Sequence, residues 1–329
     1  MSIVRKLAFS LTAVVLFFGL AEIGLRATAG ETNASHAHFE HNTVYWVSDP
    51  QLDDEPMPHR EMGTSFPVST DENGLRSATH SVQKDPNVFR ILLMGCSTTF
   101  GWGVADDQTV PAQLERELRE RGYDGVEVIN AGQPGYTSFQ GLWLWDQVLE
   151  AYEPDLVALG FIVQDARRAA YSDLEQALLQ QDGEFLKQNV LWNIALYRWM
   201  KATVDGVRVE AKERDQTSGE GVYRVSEEDY LDHLRALRDR AERIGAKVMH
   251  FGFPLERVGY TAAHRRLLRL EAEHAGVPLF DPSADIEAAT RTQTLYFEQD
   301  RGHANAAGCA LIARLFADFL ITSDLLPEA

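Results

Sequence analysis

Three residues in this 329-residue chain have the types and spacing that nucleophilic catalysis requires. Ser97 ends an apolar run in FRILLMGCSTTFGWG (89–103). Asp300 and His303, three positions apart, lie in QDRGHANAAG near the C-terminus. A hydroxyl is a weak nucleophile until a base takes its proton, so a serine needs a histidine. The histidine needs a carboxylate to fix its tautomer and stabilise its charged form. A developing oxyanion needs fixed hydrogen-bond donors. Ser97 is the candidate nucleophile, His303 the base and Asp300 the orienting acid. The backbone N–H groups of Ser97 and Gly135, with the side-chain amide of Gln164, are candidate oxyanion donors. Each residue also has a plain structural reading. Ser97 could cap a turn, His303 could be a satisfied core or cap histidine, and Asp300 could cap the helix after it.

These residues converge only if the chain forms a particular sheet. RILLMG is a short continuous apolar run, as expected for a strand buried on both faces. VEVIN, DLVALGFIV, AKVMHFGFP and VPLFDP repeat the pattern along the chain. Helical segments alternate with them: TVPAQLERELRERG, SFQGLWLWDQVLEAY, SEEDYLDHLRALRDRAERIG, AAHRRLLRLEAEHAG and NAAGCALIARLFADFL. Ser226 and Asp229 open the third of these with capping-box spacing. Strand–helix alternation with right-handed crossovers predicts an α/β fold. The expectation is a three-layer α/β/α doubly wound, flavodoxin-like sandwich of about five parallel strands. Sites in such sheets gather at the carboxyl ends of the strands, where Ser97, Gly135 and Gln164 all fall.

The rest of the chain is read around that domain at 89–329. Arg5 and Lys6 precede an uncharged apolar run at 7–21, and Glu22 and Arg26 follow it. A basic start and an apolar core make an export segment, assigned to residues 1–29. Small residues at Ala27 and Ala29 suit cleavage after Ala29. Continuation through EIGLRATAG suits a retained anchor over residues 7–29. Either way the remainder lies outside the cytoplasm. Residues 30–88 read as a linker and irregular lead-in. His36, His38 and His41 fall there without the Cys or carboxylate pattern of a defined metal site. Asn33-Ala34-Ser35 fits a glycosylation sequon. A helical insertion is expected at about 173–220, including FLKQNVLWNIALYRWM. The formal net charge of −18 opposes nucleic-acid binding. Two cysteines, Cys96 and Cys309, make no disulfide framework and no zinc signature. No cofactor and no metal are expected. Arg167, Arg168 and Arg257 are read as surface charges or as the rim of a pocket for an anionic substrate.

From about residue 73 onward the chain resembles the SGNH (GDSL-type) hydrolase superfamily. ILLMGCSTTFGWG is similar to its first block, VINAGQPGYTS to its second, DLVALGFIVQD to its third and DRGHANAAG to its fifth. ENGLR (72–76) and AEIGLR resemble membrane-anchored bacterial members, which favours an uncleaved anchor. The resemblance implies a Ser97–His303–Asp300 triad, an oxyanion hole of Ser97, Gly135 and Gln164, and an acyl-enzyme. The expected activity is an extracytoplasmic serine esterase acting on carboxylic esters: O-acetyl groups on glycans, lipid esters or small esters. An O-acyltransferase acting on a polysaccharide is the alternative, and a non-catalytic binding module with this fold is a third. Two positions depart from the family pattern. Cys96 replaces the Asp that usually precedes the nucleophile, and a thiol enzyme using Cys96 would lose activity on alkylation yet keep it in Ser97→Ala. Gln164 replaces the usual Asn, keeping the amide but adding a methylene.

Overall fold

The computed structural model describes residues 3–28, 45, 56–59, 61–76, 80–181, 194, 196–197, 199–200, 221–256 and 259–328. The chain divides into two compact units. One comprises Met1–His36 and Glu175–Glu220, the other Ala37–Leu174 and Gly221–Ala329.

In the first unit, helix α1 (Ile3–Thr28) carries the basic start and the apolar run. Val14, Leu16, Phe17, Phe18, Leu20 and Ile23 are exposed on it. Glu22 accepts from Arg26 Nε at 2.7 Å and from the Leu196 backbone N–H at 2.8 Å. Among the described residues, no helix is long and apolar enough to cross a membrane. Most of the apolar helix expected at 185–200, and His36, His38 and His41, lie outside the described residues.

The second unit begins with a hairpin of two short strands, β1 (Met57–His59) and β2 (Thr64–Phe66). The central sheet follows: β3 (Phe89–Gly95), β4 (Val126–Gly132), β5 (Leu156–Gly160), β8 (Lys247–Phe251) and β9 (Leu279–Phe280). A small antiparallel pair, β6 (Arg168–Ala169) with β7 (Val222–Tyr223), lies between β5 and β8 in sequence. The central order is β4-β3-β5-β8-β9, and every neighbouring pair is parallel. This is the doubly wound order in which the first strand sits inside the second, with its switch point beside β3.

Alternation along the strands divides the core into two layers. Ile91 and Leu93 of β3 face α3 (Val110–Glu120) and α9 (Ala306–Thr322), meeting Leu114, Leu118, Ile312 and Phe316. Leu92 and Met94 face α4 (Ser138–Gln147) and α6 (Glu227–Arg243), meeting Leu144, Trp145, Tyr230 and Leu234. In chain order, α5 spans Asp173–Gln181, α7 spans Ala262–Ala275 and α8 spans Ser283–Thr290. Both faces of β3 are covered, which is why its sequence is a continuous apolar run rather than an alternating one. Local signals fix the helix starts. Thr109 accepts the Ala112 N–H ahead of Pro111, and Ser226 accepts the Asp229 N–H at 3.1 Å. The expected three-layer sandwich of five parallel strands is the architecture found.

Part of the 30–88 stretch is built into this unit. Tyr45 stacks on Trp143, with ring centroids 4.8 Å apart. Arg76, 5% exposed, donates to the carbonyls of Pro67, Phe100, Gly101 and Val104 and to the Asp106 carboxylate. ENGLR therefore ends in a side chain that holds the loop following Ser97.

Candidate active site

β3, β4 and β5 end level with one another: Gly95 pairs with Gly132 on one side and with Gly160 on the other. Directly above that edge the chain turns into a single-turn helix, α2 (Ser97–Phe100). The turn packs so closely that a Cβ at Gly132 would stand 2.3 Å from the Phe100 nitrogen. Glycine at the strand end is what lets Ser97 sit on the sheet. Thr99 and Phe100 N–H groups close back on the Cys96 carbonyl at 3.1 and 3.0 Å. The Ser97 N–H opens the turn and makes no hydrogen bond among the described residues, as first-turn donors of a helix do not.

The loop before α9 brings the other two residues over Ser97. A bridge between Tyr296 and Ala304 closes it. Asn305 pins it, its amide donating to the carbonyls of Thr294 and Tyr296 while its Oδ1 caps α9 by accepting from Gly308 N–H. His303 Nε2 lies 2.8 Å from Ser97 Oγ, and His303 Nδ1 lies 2.7 Å from Asp300 Oδ2. Burial pushes the Asp300 carboxyl up, but hydrogen bonds and charge from His303 and His59 outweigh it and hold it at about 2. Asp300 is thus ionised and can only accept. That places the proton of neutral His303 on Nδ1 and leaves Nε2 to accept from the Ser97 hydroxyl, the arrangement that proton removal from Ser97 needs.

His59 was not foreseen in the sequence. It comes from β1, is 1% exposed, and its Nε2 donates to the same Asp300 Oδ2 at 2.9 Å. Phe66, Trp102 and Phe297 pack around its ring. With the partners 241 positions apart in sequence, no local pattern could have paired them. His59, Glu61 and Asp300 also bring potential ligand atoms within 4.8 Å of one another. A cation there would compete for the oxygen that accepts from His303.

On the other side of Ser97 lie the candidate oxyanion donors. Gly135 follows β4 with φ +81°, a conformation that disfavours any side chain. Its N–H makes no hydrogen bond among the described residues. Gln164, 7% exposed, follows β5; its Oε1 accepts from Arg224 Nη1 at 3.2 Å, and its Nε2 makes no hydrogen bond among the described residues. Arg224 is the second residue that the sequence did not single out. It also donates to the Gly135 carbonyl at 2.7 Å.

The remaining candidates stand apart from this set. Cys96 and Cys309 are both free and buried. Cys96 Sγ lies 3.3 Å from Thr98 Oγ1, and burial pushes the Cys309 thiol up to about 12. Arg168 donates to the Gly221 carbonyl and covers the Tyr223 ring, so it belongs to the β6–β7 pair. Arg167 is bonded to Tyr260. Arg257 lies outside the described residues.

Comparison with known proteins adds three findings. The model of a family described as "GDSL-like Lipase/Acylhydrolase family" matches residues 93–311. No curated protein matches the sequence. Among solved structures, a lipase/acylhydrolase from Enterococcus faecalis is similar at 17% identity and a TM-score of 0.48, over 74% of this chain and 100% of that one. An esterase from Pseudoalteromonas sp. is similar at 16% identity and 0.47, over 72% and 99%. An acetylxylan esterase from Geobacillus stearothermophilus is similar at 18% identity and 0.45, over 70% and 94%.

Proposed function

Because the chain belongs to the GDSL-like lipase/acylhydrolase family and is thereby a serine ester hydrolase, we propose that it cleaves carboxylic esters through an acyl-enzyme on Ser97. The observation that carries this reading is the continuous hydrogen-bonded line Ser97 Oγ–His303–Asp300, with separations of 2.8 and 2.7 Å. His303 Nε2 takes the hydroxyl proton as Ser97 Oγ bonds to the ester carbonyl carbon. The imidazolium that results sits against the ionised Asp300. The carbonyl oxygen becomes an oxyanion, received by the N–H groups of Ser97 and Gly135 and the Gln164 amide. The C–O bond then breaks, and the departing alcohol takes the proton from His303. Water repeats the sequence: it gives a proton to His303 as it attacks the acyl carbon, and the bond from that carbon to Ser97 Oγ breaks as Oγ takes the proton back from His303, releasing the acid.

Carboxylic esters are the proposed substrates, with O-acetyl groups on glycans among them. The test is acetate release from p-nitrophenyl acetate and from an acetylated xylan, with Ser97→Ala alongside. Acetate set free by the wild type and not by the variant is expected. Acetate appearing on an added sugar hydroxyl, with none in solution, would make the protein an O-acyltransferase instead. No turnover and no acyl-enzyme on a folded sample would leave a binding module.

We propose that the protein lies outside the cytoplasm, either tethered through residues 7–29 or released by cleavage after Ala29. Its support is the basic start at Arg5 and Lys6 followed by the uncharged run. Recovery with membranes after an alkaline wash is the expected result. A soluble form beginning at Gly30 would show cleavage.

A further inference from the structure

We propose that Arg224 is the positioning residue of the oxyanion hole, holding the carbonyl on the far side of the Gly135 Cα from its N–H, and with it the Gln164 amide, in one frame; this rests on the esterase reading above. Every N–H of its guanidinium is engaged. Nη1 donates to the Gly135 carbonyl at 2.7 Å and to Gln164 Oε1 at 3.2 Å. Nη2 donates to Gln140 Oε1 at 3.1 Å and to Asp173 Oδ2 at 2.8 Å, and Nε donates to Asp173 Oδ1 at 2.9 Å. The Arg224 side chain is 12% exposed and that of Asp173 is 5% exposed. Asp173 also accepts from Thr137 Oγ1 at 2.7 Å. Backbone bonds hold the same spot: Arg224 N–H donates to the Arg167 carbonyl, and Asp173 N–H donates to the Arg224 carbonyl.

Gln164 needs this support more than the usual Asn would. The extra methylene adds a torsion that must be frozen for the amide to donate to one fixed point. An amide also has two similar ends. With Oε1 turned to a cation, the orientation is decided, and Nε2 is the end left to donate. The charge-assisted bond at Oε1 draws electrons from the amide and makes its N–H a better donor. The planar fork of Arg reaches Gly135 and Gln164 from a single nitrogen, so two donors separated by 29 positions in sequence share one reference. The bidentate Asp173 keeps the guanidinium charge compensated behind the site.

The test measures kcat and KM on p-nitrophenyl acetate with the full chain, for Gln164→Ala, Arg224→Met, the double variant and Arg224→Lys. Removing an oxyanion donor costs roughly 10²–10³ in kcat, so Gln164→Ala and Arg224→Met are each expected to fall about 100-fold, with KM within about twofold. The double variant is expected to be no slower than the worse single one, because Arg224 acts through Gln164 and its neighbour. Arg224→Lys keeps the charge but not the fork. Expected to fold by circular dichroism even if Arg224→Met does not, it should lose about tenfold in kcat. An unchanged kcat in a folded Arg224 variant, or losses that multiply in the double variant, would overturn the proposal while leaving the esterase reading intact. A folded wild type without activity and without reaction of Ser97 with a fluorophosphonate would overturn the esterase reading, and this inference with it.

Discussion

Replacing Arg76 with Met should cost the protein much of its stability while leaving the sequence of the reacting residues untouched. The guanidinium makes five hydrogen bonds: to Asp106, Pro67, Phe100, Gly101 and Val104. They are not equal. Pro67 is exposed, so its carbonyl can turn to water. Asp106 is 38% exposed, so its carboxylate can turn to water when the buried Arg76 side chain is lost, and we assign that bond about 1 kcal/mol. The Phe100 carbonyl keeps the Asn130 amide at 3.2 Å, and the Gly101 carbonyl keeps the Val104 N–H at 3.3 Å. The Val104 carbonyl loses its donor outright, and an orphaned buried carbonyl costs about 1–3 kcal/mol. Two weakened carbonyls and lost contact with the Phe66 and Phe100 rings bring the expected loss to about 3–5 kcal/mol. The assay is urea unfolding followed by tryptophan fluorescence, comparing midpoints at constant slope. Arg76→Lys should recover part of the loss, because an ammonium reaches at most three acceptors. A loss below about 1 kcal/mol in Arg76→Met would mean that the loop after Ser97 satisfies its own carbonyls and that Arg76 does not hold it.

Three further outcomes follow from the site and the core. Asp300→Asn presents an amide where His303 needs an acceptor, so kcat should fall by about 10⁴ with KM little changed, read from p-nitrophenyl acetate kinetics; a loss under tenfold would remove Asp300 from its assigned role. His59→Leu takes away one of the two donors on Asp300 Oδ2, and kcat should fall roughly tenfold at constant KM; an unaltered kcat would leave His59 as core packing alone. His250 is 1% exposed with neither ring nitrogen bonded, and burial followed by the nearby Arg238 charge pulls its pKa down to about 4. A depressed histidine pKa stabilises fully above its ordinary value near 6.5 and loses that contribution as pH falls through about 4, for a change on the order of 3 kcal/mol. His250→Leu should therefore flatten the stability profile between pH 6.5 and 4, measured as the urea midpoint against pH, and an unaltered slope there would count against a neutral buried imidazole.

The central strands are legible in sequence because strands covered on both faces must be apolar throughout, as Ile91 to Met94 are. Ser97, Asp300 and His303 are legible because the sheet's topology sends strand ends and the last loop to one edge. The residues that support them are not. His59 sits in a three-residue strand, too short for any period to register, inside a stretch whose polar composition reads as linker. Arg224 reaches Gly135 across 89 positions, and its neighbours mark only the Ser226 cap that opens α6. Gln164 shows the same limit from the other side. In sequence it is a donor one methylene too long; only the fold reveals the arginine behind its oxygen.

The proposed catalysis at this site depends on activation of Ser97 by His303. The most direct measurement is reaction of the folded protein with a fluorophosphonate, with the adduct mapped by mass spectrometry in the wild type, Ser97→Ala and His303→Ala. The expected result is one phosphonyl group on Ser97 of the wild type and none in either variant. An unlabelled wild type, an adduct on another residue, or undiminished labelling without His303 would contradict it.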